Sequence, residues 1–148
     1  MPAKTNPAAT GSVDAILMAS GHSARFGSKN KLLAPFCGQP LARHALNLAL
    51  GTPGFGQVFF VAAHPDVQAL ARGTAATLIV NHHPGRGSSE SVRLGVLASL
   101  AEHYLFLPCD QPLLDTPTLE LLLAARSPGA IVQPCFGGKP RRPPLFSA

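Results

Sequence analysis

Val13-Asp14-Ala15-Ile16-Leu17-Met18-Ala19-Ser20-Gly21-His22-Ser23-Ala24-Arg25-Phe26-Gly27 joins a short apolar run to a loop of small residues. The run over residues 13–19 has the near-continuous apolar character of a strand buried in a parallel sheet. The loop that follows, residues 20–31, carries Ser20, Gly21, Arg25 and Lys31. Small residues let backbone amides approach a phosphate chain closely, and an arginine with a lysine can neutralise its charge. The loop is not the dinucleotide fingerprint, because Gly21 and Gly27 are not set in GxGxxG, and it is not Walker A, because Ser28 follows Gly27 where that motif has lysine. On these residues alone, a phosphate cradle and a tight strand-to-helix turn beside a solvated basic patch both remain open.

Outward from this stretch, apolar runs alternate with helical patterns. Gly38-Gln39-Pro40 precedes Leu41, Ala45, Leu46, Leu48 and Ala49, which recur at helical intervals up to Gly51. Strands are expected over residues 57–62, 77–80, 104–107 and 130–135, with a short helix over 65–72 opened by a proline and another over 116–126. Between them, Ser91, Leu94, Val96, Leu97 and Leu100 form the expected small and apolar face of a helix. Strands separated by helices require crossover connections, which predicts an α/β domain with an open, mostly parallel sheet and helices on both faces. Ligands of such sheets sit outside the carboxyl ends of the strands, where the informative loops would converge.

Bulk properties narrow the function classes. At 148 residues the chain suits one domain, and residues 1–12 read as a flexible leader ahead of a domain over 13–148. The balance of 46% hydrophobic and 13% charged residues is that of a globular enzyme or binding domain. Cys37, Cys109 and Cys135 are widely spaced and odd in number, which predicts reduced, partly buried thiols and no zinc site. No apolar run is long enough to span a membrane and the first dozen residues lack an apolar signal core, so a cytoplasmic location is expected. The net charge of +5 fits nucleic acid, acidic membranes or phosphorylated small molecules. Its placement decides: Arg25, Lys29, Lys31, Arg86, Arg93, Lys139, Arg141 and Arg142 lie in or beside Gly, Ser or Pro-rich loops, with no long basic helix and no aromatic platform. A phosphate-bearing small ligand is favoured over a polynucleotide.

Two further loops carry candidate chemistry. In Asn81-His82-His83-Pro84-Gly85-Arg86-Gly87-Ser88-Ser89-Glu90-Ser91, the serines precede an expected helix, whose amino terminus suits an anion. Plain N-capping explains Ser88 and Ser89 equally well, and adjacent histidines on extended backbone point apart, which argues against joint metal ligation by His82 and His83. In Phe106-Leu107-Pro108-Cys109-Asp110-Gln111-Pro112, Asp110 ends a strand. Such a carboxylate can hold magnesium against triphosphate oxygens or simply cap the next turn.

Met18-Ala19-Ser20-Gly21-x-Ser23-x-Arg25-Phe26-Gly27 with Lys31, then Gly38-x-Pro40-Leu41, resembles the signature of the molybdenum cofactor nucleotidyltransferase family, the MobA-like NTP transferases. The loop from Asn81 to Gly95, the Asp110-Gln111-Pro112 element and the segment ending Pro144-Leu145-Phe146 are similar to later family segments, with Arg142 departing from a family glycine. The resemblance implies a three-layer Rossmann-like fold of the nucleotide-diphospho-sugar transferase type. It implies that Ala19, Ser20, Gly21, Asn81 and Ser91 hold the nucleotide, that Arg25 meets the triphosphate, that Lys31 reaches the reacting phosphate, and that Asp110 is the Mg2+ ligand. It further implies transfer of a nucleoside monophosphate to molybdopterin cofactor with release of pyrophosphate. Ser20, where guanylyl-transferring members usually have glycine, together with Gln111, favours CTP over GTP. By the same resemblance the domain is expected to be incomplete at its C-terminal end, lacking a Gly-Asp segment with a second metal ligand. Two other readings stay open: a cytidylyltransferase acting on a sugar or methylerythritol phosphate, and a non-catalytic module that hands cofactor to a client molybdoenzyme.

Overall fold

In chain order the elements are β1 (Val13–Ala19), a hairpin of β2 (Pro35–Phe36) and β3 (Gln39–Pro40), α1 (Leu41–Gly51), β4 (Val58–Ala62), α2 (Pro65–Gln68), β5 (Thr77–Val80), α3 (Ser88–Ala98), β6 (His103–Pro108), α4 (Thr116–Ala125), β7 (Ile131–Val132), a hairpin of β8 (Cys135–Phe136) and β9 (Lys139–Pro140), and β10 (Leu145–Ser147). This computed structural model describes residues 11–21 and 30–148. Of the expected leader, only Gly11 and Ser12 fall among them; the Ser12 carbonyl accepts from the His103 N–H and the Gly11 carbonyl from Arg126 Nε.

The sheet order is β5-β4-β1-β6-β10-β7. β1 lies inside it, parallel to β4 from Ala15↔Val58 to Ala19↔Ala62 and parallel to β6 from Val13↔His103 to Met18↔Pro108. Side-chain alternation along β1 sends Ala15, Leu17 and Ala19 to one face and Ile16 and Met18 to the other. The first face packs with Phe60 against Ala42, Ala45, Leu46 and Ala49 of α1 and Val67 of α2. Beside it, Leu119, Leu122 and Leu123 of α4 cover Val13, Leu105 and Leu145. The opposite face, with Ile16, Phe59, Val61 and Phe106, is covered by Val92, Leu94 and Val96 of α3. At about 1.5–3 kcal/mol for each fully buried Leu, Ile or Phe, these two faces supply the driving force for the three-layer arrangement. Among the described residues, no helix is long and apolar enough to cross a membrane.

The expected α/β class and open, mostly parallel sheet are observed, with two local corrections. Residues 130–135 do not form one strand: β7 is two residues long, and β8 turns away into its own hairpin. Pro134 has no N–H to continue a ladder, and its carbonyl instead accepts from Arg141 N–H at 2.7 Å. The place beside β6 is taken by β10, antiparallel to both β6 and β7, with Leu145 fully buried. The second correction concerns α3. Ser91 is buried and Leu94 and Val96 pack on the core as expected, but Leu97 and, past the helix end, Leu100 are exposed, while Glu90 and Gly95 are buried.

Gly95 decides how closely α3 approaches β1, because a Cβ there would overlap the fully buried Ile16 side chain. Replacing it with alanine gains about 1 kcal/mol of helix propensity but forces an overpacking penalty of about 1–3 kcal/mol. Ile16 is β-branched and enclosed, so the penalty wins. Gly95→Ala is expected to lower the urea midpoint by the equivalent of on the order of 1 kcal/mol; a midpoint equal to or above that of the unsubstituted chain would show that Ile16 yields freely.

Candidate active site

From β1 the chain winds outward through β4 to β5, then crosses back over β1 to enter β6. The strand order therefore reverses between β1 and β6, and in open α/β sheets ligands bind outside the carboxyl ends of the strands at such a switch point. Ser20 and Gly21 leave β1 at this edge, Cys109 and Asp110 leave β6 there, and Asn81 leaves β5.

Lys31 returns to the same edge on a one-turn 3-10 helix, Lys31–Leu33, whose start is capped by Asn30: its side-chain oxygen accepts from the Leu32 N–H at 3.0 Å. Leu32 is buried in the core cluster that also contains Ala19, Ala62, Leu107 and Cys109. The charged residues flank these anchors. Lys31 precedes Leu32, Asp110 follows Cys109, and the Lys31 Nζ stands 3.8 Å from Asp110 Oδ2 with both side chains about half exposed, at 50% and 49%. An ion pair this open contributes roughly 0–1 kcal/mol, so its placement is set by the buried neighbours and not by its own attraction.

The other expected ligand-binding positions divide by exposure. Ala19 is fully buried and can offer only backbone, and Ser20 is buried with its hydroxyl donating to the Val61 carbonyl at 3.1 Å. Gly21 is exposed, and among the described residues nothing would lie within 4 Å of a side chain there. Asn81 and Ser91 are both buried and face each other, Asn81 Nδ2 donating to Ser91 Oγ at 3.5 Å while Asn81 Oδ1 accepts from the His83 N–H at 2.9 Å. With the Asn81 N–H donating to the Ala62 carbonyl, this pair ties the ends of β4 and β5 to α3. Arg25 lies outside the described residues.

Two features carry no motif in the sequence. Asn30 and Leu32 position Lys31, but a lone Asn and a Leu in a loop do not announce themselves. Glu90 is 6% exposed at its side chain, yet lies beside Arg86 and Arg93, the former at 3.7 Å and the latter at 2.7 Å. Its hydrogen bonds with Arg93, reinforced by the nearby positive charges, hold its carboxyl below the ordinary glutamate range. The i,i+4 and i,i+3 spacings of Arg86, Glu90 and Arg93 are the only signal that could have singled it out.

Cys109 is buried, and desolvation, with the Asp110 charge adding to it, pushes its thiol well above the usual range. It is a neutral packing residue and not a nucleophile. The expectation of partly buried thiols therefore holds for Cys109 alone, since Cys37 and Cys135 are exposed. Among the described residues, no group of three His, Cys, Asp or Glu side chains could hold a metal. A single strand-end carboxylate such as Asp110 does fit magnesium, which keeps its waters and is commonly shared between one or two carboxylates and substrate phosphates.

The molecule is thus a three-layer α/β domain that brings a lysine and a carboxylate together where the strand order reverses, the place at which open α/β sheets bind their ligands. The chain belongs to the MobA-like NTP transferase domain family, whose profile matches residues 15–148. It is 30% identical over 105 residues to a molybdenum cofactor guanylyltransferase of Pseudomonas fluorescens, a match covering 70% of this chain and 50% of that protein. It is 32% identical over 132 residues to a bifunctional enzyme IspD/IspF of Mesorhizobium japonicum, covering 83% and 32%. Among solved structures, Rv0371c of Mycobacterium tuberculosis matches with a TM-score of 0.79 at 22% identity over 94% of this chain and 72% of its own, and its complex with manganese matches at 0.72 and 18% over 92% and 71%. At those identities the likeness is one of fold. The chain spans half or less of the length of the two curated relatives.

The burial contrast among the thiols is directly measurable. Cys37 and Cys135 are expected to react with a disulfide reagent in the native chain, and Cys109 only after unfolding. Rapid native labelling of Cys109 would mean that the cluster holding Leu32 and Cys109 is open.

Proposed function

We propose that the domain holds a nucleoside triphosphate in the crevice beside Lys31 and Asp110, as part of a cytoplasmic nucleotidyltransferase that passes CMP from CTP to molybdopterin cofactor. The observation that carries this reading is the 3.8 Å approach of Lys31 to Asp110 at the switch point; family membership gives the reaction class. In this reading a phosphate oxygen of the acceptor attacks the α-phosphorus, the bond to the bridging oxygen breaks, and pyrophosphate leaves. Lys31 offsets charge developing on the phosphate oxygens, the electrostatic contribution that dominates phosphoryl transfer. Arg25 joins it from the loop after β1, and the exposed backbone at Gly21 lies against the nucleotide. Asn81 and Ser91 act by holding the ends of β4 and β5 to α3, with their buried polar atoms turned toward each other.

Asp110 is the residue that would hold Mg2+, which supplies neutralisation of the triphosphate when bound. The manganese complex of the mycobacterial structure supports a divalent ion in this fold. The nucleobase preference rests on Ser20, a buried non-glycine residue after β1, together with Gln111. Similarity to a protein named molybdenum cofactor guanylyltransferase is an argument for GTP, and similarity to a bifunctional enzyme IspD/IspF is an argument for a different acceptor.

Lys31→Ala is expected to lower pyrophosphate release by about a hundredfold or more, the scale of losing one preorganised donor, while the folding midpoint moves by no more than about 1 kcal/mol because the ion pair is exposed. Unimpaired turnover in that variant would end the assigned role. Calorimetric titration with magnesium present is expected to give tighter binding of CTP than of GTP, and equal or reversed affinities would remove the cytidylyl preference. Pyrophosphate release measured with molybdopterin cofactor and with methylerythritol phosphate identifies the acceptor; nucleotide binding without release on either would favour a non-catalytic module serving a client molybdoenzyme.

A further inference from the structure

The α3 side of the crevice carries a second concentration of charge. Glu90, in the first turn of α3, accepts from Arg93 Nε at 3.0 Å and from Arg93 Nη2 at 2.7 Å, and its Oε1 lies 3.7 Å from Arg86 Nη1. The carboxylate is enclosed at 6% exposure, whereas Arg86 and Arg93 are 62% and 52% exposed. Exposed ion pairs on helices contribute a few tenths of a kcal/mol, but here the acidic partner is inside and the two cations are outside. Glu90 engages the Nε and Nη2 of Arg93 and leaves the remaining guanidinium donors facing out. The next residue, Ser91, is the one bonded to Asn81 just past β5, so the trio sits at the carboxyl edge of the sheet, on the β5 side of the switch point. Among the described residues, side chains at Gly85 and Gly87 would meet nothing within 4 Å, and α3 follows Gly87 without a side-chain cap.

We infer that Glu90 is a positioning residue that fixes Arg93, and tethers Arg86, as phosphate-facing cations on the α3 side of the crevice. The inference rests on the nucleotide-binding reading above and adds to it a subsite for a phosphate group, carried by the triphosphate chain or by the acceptor. A bidentate guanidinium held in one orientation loses less freedom when it meets a phosphate than a loose one does. Balancing the trio's charge predicts the opposite sign, since removing a carboxylate from beside two arginines raises the positive potential and strengthens anion binding.

The test exploits that difference. Inorganic tripolyphosphate and inorganic phosphate are titrated calorimetrically into the unsubstituted chain, Glu90→Gln, Arg93→Lys and Lys31→Ala, well below each unfolding midpoint. Glu90→Gln is expected to weaken binding about tenfold despite its gain in net positive charge, and Arg93→Lys, which keeps the charge and loses the fork, to weaken it similarly. Loss confined to tripolyphosphate assigns the subsite to the triphosphate, and loss for inorganic phosphate as well assigns it to a single phosphate group such as the acceptor's. Equal or tighter binding by Glu90→Gln would overturn the inference. If that variant does not fold, undiminished binding by Arg93→Lys overturns it alone. Binding that Lys31→Ala weakens and the α3 variants do not sinks only this inference, whereas absence of binding by the unsubstituted chain sinks it together with the nucleotide-binding reading.

Discussion

Burial of Leu32 and Cys109 in one apolar cluster is the constraint on which the site depends. Neither residue is polar and neither faces the crevice chemistry, yet each is one position away from a charge. A half-exposed lysine and a half-exposed aspartate have little attraction with which to find each other in water. Their neighbours do have a driving force, because each buried side chain gains on the order of a kcal/mol or more by leaving water. The core thus fixes the backbone from which both charges project, and leaves the charges themselves half exposed.

The same division of labour recurs around the rim. Ser20, Asn81 and Ser91 are polar residues at strand ends, but their side-chain groups bond inward, to Val61 and to each other. Buried polar groups left without partners would be destabilising by about 1–3 kcal/mol each, so these pairings hold three separate chain segments in one arrangement. In the proposed reading the groups that meet a ligand are the backbone at Gly21 and the half-exposed cations Lys31, Arg86 and Arg93. Such a composition would recognise charge and shape at the phosphates, with the strand-end polar residues acting as the frame.

Much of this was legible in the sequence because the signals were local. β1 and β5 begin and end where the apolar runs do, and α1 spans the periodic residues from Leu41 to Gly51. The loops that follow strands could be assigned to one edge of the sheet from topology alone, and Lys31 and Asp110 do meet there. The failures were those that depend on distant partners. Residues 130–135 are apolar enough for a strand, but Pro134 divides them, and the strand that takes the place beside β6, β10, is only three residues long. On α3, hydrophobicity marked Leu97 and Leu100, whereas contact with β1 selects the residue that allows the closest approach, Gly95. Periodicity reports which side chains could be buried; it does not report which face of a helix a particular isoleucine will meet.

Asp14 and Asp110 show how the fold assigns different work to the same side chain. Asp14 enters β1 from the amino edge and is 4% exposed, with Oδ1 accepting from the Gln57 N–H at 2.8 Å and Oδ2 from the Ser99 hydroxyl at 2.5 Å. Both oxygens are engaged, and between them they join the entrance of β4 and the end of α3 to the central strand. Gly56 leaves room for this, since a Cβ there would lie 3.0 Å from Asp14 Oδ1. Asp110, at the opposite edge, is half exposed beside a lysine. A carboxylate whose acceptors are already engaged by the chain has little capacity left for a metal or a phosphate-bound water, whereas one that meets solvent has most of it. The fold therefore treats these two aspartates differently: at the amino edge the chain closes on Asp14, and at the carboxyl edge, where the strand order reverses, it leaves Asp110 half exposed.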